Sequence, residues 1–193
     1  MTIEIIPPEP PLLIGITGRA GAGKSTVAAY LEREYGCEEL AFADPLVNML
    51  AALFDTADVP SCYITERALK EQTTPLGPSY RRLMQTLGTE WGRDTVGCDF
   101  WVSIARRRLD VRCLHGQSVV FSDVRFYNEA ALIKERGGTV IRVLRKQAAP
   151  VNPHVSESQM DGAAVDFEIH NHGSLATLHD QVDRIVAATA RLG

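Results

Sequence analysis

The chain has 193 residues, of which 20 are Lys or Arg and 24 are Asp or Glu, so its formal charge is −4. A hydrophobic fraction of 45% excludes an intrinsically disordered chain, and the length suits one globular domain. The acidic balance argues against direct binding of nucleic acid, and no apolar run approaches the ~20 residues that span a membrane. The N-terminus lacks the basic and apolar regions of a signal peptide, and the four cysteines are scattered. We therefore expect a cytoplasmic protein with reduced thiols.

Short apolar runs alternate with stretches of helical periodicity along most of the chain. The apolar runs predict buried strands at residues 12–17, 38–43, 118–122, 139–144 and 165–169. Helical spacing predicts helices at residues 24–35, 79–94, 99–113, 127–136 and from 175 onwards. Asp44 and Pro45 predict the start of a further helix, with Asp44 as its N-cap. The alternation predicts a three-layer α/β fold, in which a parallel sheet of about five strands carries helices on both faces.

A phosphate-binding loop is predicted between the first strand and the first helix. Residues 18–25 (GRAGAGKS) match the pattern G-x-x-x-x-G-K-[ST] in the required strand–loop–helix context. Glycines let backbone N–H groups turn inward around an anion, and the helix N-terminus adds a positive field. Lys24 would reach the β- and γ-phosphates, and the Ser25 hydroxyl would coordinate Mg²⁺. The residues predicted to bind ATP here are Gly18, Ala20, Gly21, Ala22, Gly23, Lys24, Ser25 and Thr26.

The remaining sequence favours a kinase over the other classes of P-loop protein. A GTPase carries N-K-x-D for guanine, which this chain lacks. Residues 94–97 (DTVG) match the D-x-x-G pattern of GTPases, but they follow a helical segment, so we interpret the match as chance. The chain is also short for a motor or an AAA-type ATPase. A P-loop kinase that phosphorylates a small molecule fits these observations best.

Five segments of the sequence resemble the phage-type deoxynucleoside monophosphate kinase family, which lies close to dephospho-CoA kinase and animal phosphomevalonate kinase among P-loop kinases. They are residues 15–26 (GITGRAGAGKST), 42–46 (FADPL), 81–93 (RRLMQTLGTEWGR), 122–130 (SDVRFYNEA) and, more weakly, 167–175 (FEIHNHGSL). The resemblance implies that a single kinase domain, residues 1–193, transfers the γ-phosphoryl group of ATP to a deoxynucleoside monophosphate. It implies the host cytoplasm as location if a phage encodes the chain. A homodimer is compatible with it, since the family often dimerises.

The acceptor-binding region is expected in a helical stretch at about residues 45–115. Asp44 ends the second predicted strand at the carboxyl edge of the sheet, where it could bind the acceptor sugar or a Mg²⁺-bound water. Arg82 and Arg93 are eleven residues apart, about three α-helical turns, so they are predicted to share a face that suits a phosphate dianion. The alternative for the arginines is a solvated helix face, and for Trp91 it is packing in the core. The candidates of this region are Asp44, Arg81, Arg82, Gln85, Trp91 and Arg93.

A second group of candidates follows the strand predicted at 118–122. Asp123 is predicted to bind Mg²⁺ through water, and Arg125 is predicted to hold the acceptor phosphate. Asn128 completes the acceptor-binding set. The alternative for Asp123 and Arg125 is a turn cap with a surface ion pair. With Ser25 and Asp123 as metal ligands, the residues predicted to act in catalysis are Lys24, Asp44, Arg125 and Arg145.

A lid is predicted after the strand at 139–144. Residues 146–162 contain two prolines and no periodicity, so they predict a long loop that would close over the transferring phosphate. Arg145 leads into this loop and is the arginine predicted to act there, the alternative being a plain surface charge. His154 and Glu157 resemble a lid segment of the family, but the sequence assigns them no role.

The last candidates lie at the end of the final predicted strand. Asn171 and Gly173 match a turn that packs against adenine in related kinases, and Gly173 could let the backbone approach the ring closely. The alternative is a simple strand-to-helix turn.

Two other functions stay open at this stage. The first is a dephospho-CoA kinase, whose acceptor is a hydroxyl, so that Asp44 would have to act as a base. The second is a non-catalytic nucleotide-binding module that switches a partner. The acceptor-like arginines and the absence of a guanine-recognition sequence argue against such a module.

Overall fold

The computed structural model describes residues 11–145, Met160 and residues 165–189. The contacts between residues divide the chain into two compact units. The sheet unit comprises residues 1–41 and 106–193, and the helical unit comprises residues 42–105. No helix among the described residues is long and apolar enough to cross a membrane. All four cysteines are free thiols, as predicted.

The sheet unit is built on a parallel sheet. The described strands are β1 Leu13–Thr17, β2 Glu38–Leu40, β3 Val119–Phe121, β4 Thr139–Leu144 and β5 Phe167–His170. Their order is β2-β3-β1-β4-β5, and all neighbours are parallel. The carboxyl end of β1 is therefore flanked by the carboxyl ends of β3 and β4. The predicted α/β class, with a parallel sheet of about five strands, is confirmed.

The helices follow most of the predicted ranges. The described helices are α1 Lys24–Tyr35, α2 Asp44–Thr56, α3 Cys62–Thr65, α4 Tyr80–Gln85, α5 Phe100–Leu114, α6 Tyr127–Glu135 and α7 Leu175–Thr189. A π-helix, Thr86–Val96, follows α4 directly. The spacing of apolar residues predicts a stripe of Leu175, Leu178, Val182, Ile185 and Val186 on the final helix. The last four are buried, but Leu175, the first residue of the helix, is 57% exposed.

Helices cover both faces of the sheet. On one face α1 and α7 share a core with β1, in which Ile14, Ile16 and Leu31 are almost fully buried. On the other face α6 approaches β1 so closely that a Cβ atom on Gly15 would lie 2.3 Å from Cδ1 of Ile133. A side chain at Gly15 would therefore force Ile133 of this helix to shift. The three layers that the sequence predicts are therefore present.

The element boundaries predicted between residues 40 and 44 are wrong. β2 ends at Leu40 rather than at residue 43, because its partner β3 ends at Phe121, which is paired with Leu40. Asp44 is the first residue of α2 and not its N-cap, because the chain already has a helical conformation at Ala43. The Asp44 carboxylate still lies in the first turn, where negative charge stabilises a helix.

The helical unit has its own apolar core. Its buried members come from α2, the segment after it and α4, and they are Leu50, Phe54, Val59 and Tyr80. Ser79 begins α4 as a true N-cap, since its Oγ accepts a hydrogen bond from the backbone N–H of Arg82 at 3.2 Å. This unit contains the acceptor-binding candidates predicted between Asp44 and Arg93.

The helix predicted at 79–94 is corrected to α4 followed by the π-helix. Trp101 packs on the π-helix, and its Nε1–H donates to the carbonyl of Gly88 at 2.7 Å. A Cβ atom on Gly92 would lie 2.3 Å from the same Nε1, so the indole needs a glycine there. The prediction of one helix assumes a constant number of residues per turn. A π-helix has more residues per turn than an α-helix, and the spacing of apolar residues in this segment does not distinguish the two.

Candidate active site

The phosphate loop lies between β1 and α1, at the carboxyl edge of the sheet. Gly18 has a φ of +139°, and a Cβ atom there would lie 2.4 Å from the carbonyl oxygen of Val143 in β4. Gly23 has a φ of +107°, which L side chains rarely adopt. Both positions thus require glycine, one through close approach to a strand and the other through backbone conformation. The loop predicted from the sequence has the strand–loop–helix setting that the motif needs.

Lys24 lies across this loop. Its Nζ donates to the carbonyl of Gly18 at 2.6 Å and to that of Arg19 at 3.1 Å. These bonds hold the ammonium group over the loop backbone, where it can exchange a carbonyl partner for a phosphate oxygen. Ser25 and Thr26 follow in the first turn of α1 and are exposed.

The predicted adenine turn touches the phosphate loop. The Nδ2 of Asn171 donates to the carbonyl of Ala22 at 2.8 Å, although 149 residues separate the two. Its backbone N–H donates to the carbonyl of Leu144, also at 2.8 Å. Gly173 is exposed, and a Cβ atom there would make only ordinary contacts with Thr177. The structure therefore brings Asn171 to the loop. At position 173 it shows no steric need for a glycine.

Two tyrosines of α1 join it to α7 behind the loop. The hydroxyls of Tyr30 and Tyr35 donate to one oxygen of Asp183, at 2.9 and 2.7 Å. Burial and this carboxylate raise the pKa of Tyr35 well above its usual range. Both hydroxyls are therefore protonated donors at neutral pH. Local sequence patterns give no signal for these tyrosines, because their partner lies on a helix about 150 positions away.

Asp123 and Arg125 lie between β3 and α6, and Asn128 is the second residue of α6. The backbone N–H of Val124 donates to the carbonyl of Ile16 at 3.0 Å, which holds this segment beside the end of β1. Asp123 and Asn128 are half-buried and Arg125 is exposed. The segment thus follows β3 at the same sheet edge as the phosphate loop.

The side chain of Glu129 holds the backbone of this segment. Its carboxylate is 3% exposed, and its Oε2 accepts the backbone N–H groups of Arg125 at 2.7 Å and of Phe126 at 3.1 Å. Phe126 is the N-cap of α6, so Glu129 occupies the third helical position, where a glutamate often reaches back to the cap. That spacing is the signal by which sequence reasoning could have assigned Glu129 its role.

Arg145 follows β4 directly and is exposed. Since β1, β3 and β4 are parallel neighbours, Arg145 leaves the same sheet edge as the phosphate loop and Asp123. Of the predicted lid, only Met160 is described, and its carbonyl accepts a hydrogen bond from Nη2 of Arg142 at 2.7 Å. His154 and Glu157 lie outside the described residues.

Three candidate arginines of the helical unit have polar partners within that unit. Arg81 on α4 forms an ion pair with Glu71, and Arg82 forms one with Glu90, with 3.0 Å between Nη1 and Oε1. Nη1 of Arg93 donates to the carbonyl of Cys98 at 3.1 Å. No sequence pattern singles out Glu71, since it lies in a non-periodic segment that precedes α4.

The predicted common face of Arg82 and Arg93 is not retained. The prediction assumed α-helical turns from one residue to the other, but Arg93 lies in the π-helix, which turns less per residue. Gln85 ends α4 and is half-buried. Trp91 is 39% exposed and meets Phe100 edge-on, with 5.6 Å between the ring centroids. Trp91 therefore combines partial packing with an exposed ring surface.

The predicted metal ligands suit a Mg²⁺ ion that would take most of its other ligands from water and the phosphates of the nucleotide. Among the described residues, no three His, Cys, Asp or Glu side chains form a cluster that could hold a metal ion. Mg²⁺ usually takes one or two protein ligands and completes its octahedron with water and substrate phosphates. A Ser25 hydroxyl at the start of α1 and an Asp123 carboxylate after β3 are ligands of that kind.

Comparison with known proteins decides the family. A family model for deoxynucleotide monophosphate kinase matches residues 63–182. The chain is 33% identical over 185 residues to a putative deoxynucleotide monophosphate kinase of Acanthamoeba polyphaga mimivirus, covering 89% of this chain and 94% of that protein. This chain belongs to the deoxynucleotide monophosphate kinase family. The predicted family, enzyme class and function, phosphorylation of deoxynucleoside monophosphates, are thereby confirmed.

Further similarities extend to a phage protein and to solved structures. The deoxynucleotide monophosphate kinase of Escherichia phage RB69 is 30% identical over 109 residues, which are 56% of this chain and 45% of that protein. TT1252 from Thermus thermophilus has a TM-score of 0.48 at 20% identity, covering 92% of this chain and 97% of that one. Dephospho-CoA kinase from Campylobacter jejuni has a TM-score of 0.44 at 12% identity, with the same two coverages.

Proposed function

We propose that this kinase uses ATP with Mg²⁺ as phosphoryl donor and converts a deoxynucleoside monophosphate to the diphosphate. The phosphate loop at the carboxyl edge of the parallel sheet is the observation that carries the choice of donor. It lies outside the matched range 63–182, so it supports a triphosphate donor independently of the family match. The proposal includes a cytoplasmic location, where nucleotide pools are found. A homodimer stays a prediction.

The donor is bound by the sheet unit. Backbone N–H groups of residues 18–26 surround the phosphates, and Lys24 neutralises the charge on the β- and γ-phosphates. Asn171 and Gly173, in the turn between β5 and α7, would pack against the adenine. Mg²⁺, when bound to Ser25 and through water to Asp123, would offset phosphate charge during transfer.

The acceptor is bound by arginine forks and by polar and aromatic side chains. The guanidinium groups hold the acceptor phosphate, Gln85 reads a base edge, and Trp91 offers its exposed ring surface to the base. Asp44 holds the deoxyribose. The complete proposed set is Asp44, Arg81, Arg82, Gln85, Trp91, Arg93, Asp123, Arg125 and Asn128.

The chemical step needs little from the protein besides position and charge. An oxygen of the acceptor phosphate attacks the γ-phosphorus, the bond to the β–γ bridging oxygen breaks, and ADP leaves. The attacking oxygen is already anionic at neutral pH, so Asp44 is not required as a base. Arg125 and Arg145 stabilise the negative charge on the transferring group, and the proposed lid would exclude water.

A panel of acceptors tests this proposal. ADP release from Mg-ATP is measured with the four deoxynucleoside monophosphates, their ribose counterparts and dephospho-CoA. We expect turnover with one or more deoxynucleotides, and their ranking will describe the base pocket. Turnover with dephospho-CoA alone would overturn the acceptor and make Asp44 a base. Binding of ATP without turnover on any acceptor would instead favour a regulatory module.

A further inference from the structure

The contact between Asn171 and the phosphate loop has a consequence for how the loop binds phosphate. The amide Nδ2 donates to the carbonyl of Ala22, the residue before Gly23. A Cβ atom on Gly23 would lie 2.3 Å from that same Nδ2. The amide of Asn171 thus occupies space that only a glycine at position 23 leaves open. This contact is specific to one peptide group of the loop, the one that joins Ala22 to Gly23.

Because that peptide group is planar, the contact with its C=O also fixes the direction in which its N–H points. In a trans peptide the C=O and the N–H point in opposite directions. With the Ala22 carbonyl held towards Asn171, the Gly23 N–H points away from the β5–α7 turn. A loop of this kind binds phosphate through inward-pointing N–H groups, so a flipped peptide would present an oxygen to the anion instead. Because the peptide is already oriented before the nucleotide binds, less conformational entropy is lost on binding.

Asn171 is itself held in place. Its backbone N–H donates to the carbonyl of Leu144, the last residue of β4. Val143, the residue before Leu144, lies close to Gly18 at the start of the loop. The neighbouring His170 exchanges two hydrogen bonds with the side chain of Gln181, at 2.9 and 3.2 Å. The bonds of His170 tie the end of β5 to α7, whereas the bond to Leu144 anchors Asn171 itself beside the loop. That anchor makes a single side-chain hydrogen bond effective as an orienting contact.

We propose that Asn171 is a positioning residue that orients the Ala22–Gly23 peptide, so that the Gly23 N–H faces the donor phosphates. This inference rests on the proposed use of a nucleoside triphosphate, but it does not depend on the acceptor. It differs from the adenine contact predicted from the sequence, because its effect acts on phosphate rather than on the base. A ligand without a base therefore separates the two roles.

The test compares two ligands in direct binding measurements, Mg-ATP and Mg-tripolyphosphate. For Asn171→Ala we expect the dissociation constants of both ligands to rise by about fivefold, the effect of one lost hydrogen bond. For Asn171→Asp, which keeps the shape but sets a carboxylate against the Ala22 carbonyl, we expect a larger rise for both. Weaker binding of ATP with unchanged binding of tripolyphosphate would overturn the proposal in favour of an adenine contact.

Gln181→Ala is the matched control. It removes the bonds that hold His170 in the same turn, but it leaves the Asn171–Ala22 bond in place. We expect this variant to bind both ligands nearly as well as the parent. Equal weakening by Gln181→Ala and Asn171→Ala would overturn the proposal, since the turn as a whole would then be responsible. Because no acceptor is present, failure of the proposed acceptor leaves these measurements interpretable, and thermal melting verifies that each variant is folded.

Discussion

Arg81 and Arg82 are adjacent in the chain, yet each forms an ion pair with a different carboxylate of the helical unit. The side chains of both pairs are largely open to solvent, with 37–57% of each accessible. Pairs of this kind contribute about 0–1 kcal/mol to stability, so opening one costs little. A phosphate dianion, which a guanidinium fork binds at two points, can therefore replace the carboxylate. The ion pairs thus hold the two arginines in position, and the arginines can still exchange their carboxylate partners for a phosphate.

Arg82→Ala tests this interpretation at the level of one residue. If Arg82 binds the acceptor phosphate in the ground state, the acceptor KM should rise about tenfold, while the KM of ATP stays unchanged. Glu90→Gln is the control, because it breaks the same ion pair but leaves the arginine. We expect the acceptor KM of this variant to be unchanged or lower. A similar rise in both variants would mean that only the ion pair matters.

The π-helix is the element whose conformation depends most on its surroundings. Gly92 lets the indole of Trp101 lie against the backbone, and the Nε1–H of Trp101 donates to the Gly88 carbonyl. Trp101 is 3% exposed, so the donor side of this hydrogen bond is shielded from most water. π-helical turns are costly and occur often at functional sites, and this one carries Trp91 and Arg93.

Trp101→Phe should therefore lower the free energy of unfolding by about 1–2 kcal/mol, because the Gly88 carbonyl loses its donor. Urea denaturation followed by circular dichroism measures this change. Trp91→Phe is a matched control from the same aromatic cluster, and its exposed position predicts a change within about 0.5 kcal/mol. Equal effects of the two substitutions would show that aromatic volume, rather than the hydrogen bond, stabilises the π-helix.

At the scale of the whole molecule, ion pairs connect elements that are distant in sequence within the sheet unit. Arg112 on α5 binds both carboxylate oxygens of Glu38 on β2, with distances of 2.7–3.2 Å. Arg106 binds Glu135 of α6 through two hydrogen bonds of 2.7 and 2.8 Å. In both pairs the arginine holds the pKa of the carboxyl below its usual value. These pairs therefore make part of the stability depend on pH.

The sign follows from the direction of the shift. The carboxyl of Glu38 has a lower pKa in the folded state than its ordinary value of 4.5, so its contribution is present above about pH 4.5 and is lost as the pH falls through the folded pKa. Glu38→Gln should lower the free energy of unfolding at neutral pH by no more than about 1 kcal/mol, since Glu38 is partly exposed. The difference from the parent should shrink as the pH falls below 4.5 and vanish below the folded pKa.

Urea denaturation across this pH range measures the difference, with Glu39→Gln as control. Glu39 is an exposed residue of the same strand, and we expect its substitution to have little effect at any pH. A difference for Glu38→Gln that is the same at acid and neutral pH would contradict the role assigned to its charge.

The parts of the fold that depend on neighbouring residues could be predicted from the sequence. The phosphate loop and the five strands follow from short patterns, because backbone conformation and burial on one face act over a few residues. The predicted three-layer order follows from the alternation of those patterns. The same reasoning failed at Asp44 and at the end of β2, where the conformation of the preceding residue and the length of a distant partner strand decided the boundary.

By itself, then, the sequence determined the fold class, the phosphate loop and the kinase family, since each is carried by contiguous residues. Only the tertiary structure decided that Asn171 holds the Ala22 carbonyl, that Glu129 supports Arg125, and that Trp101 packs on a π-helix. The Asn171 and Trp101 contacts join residues far apart along the chain, and the Glu129 contact is one capping bond among several that its position allows. The physical reason is that such hydrogen bonds depend on distances set by the packing of whole elements, which no local pattern of residues encodes.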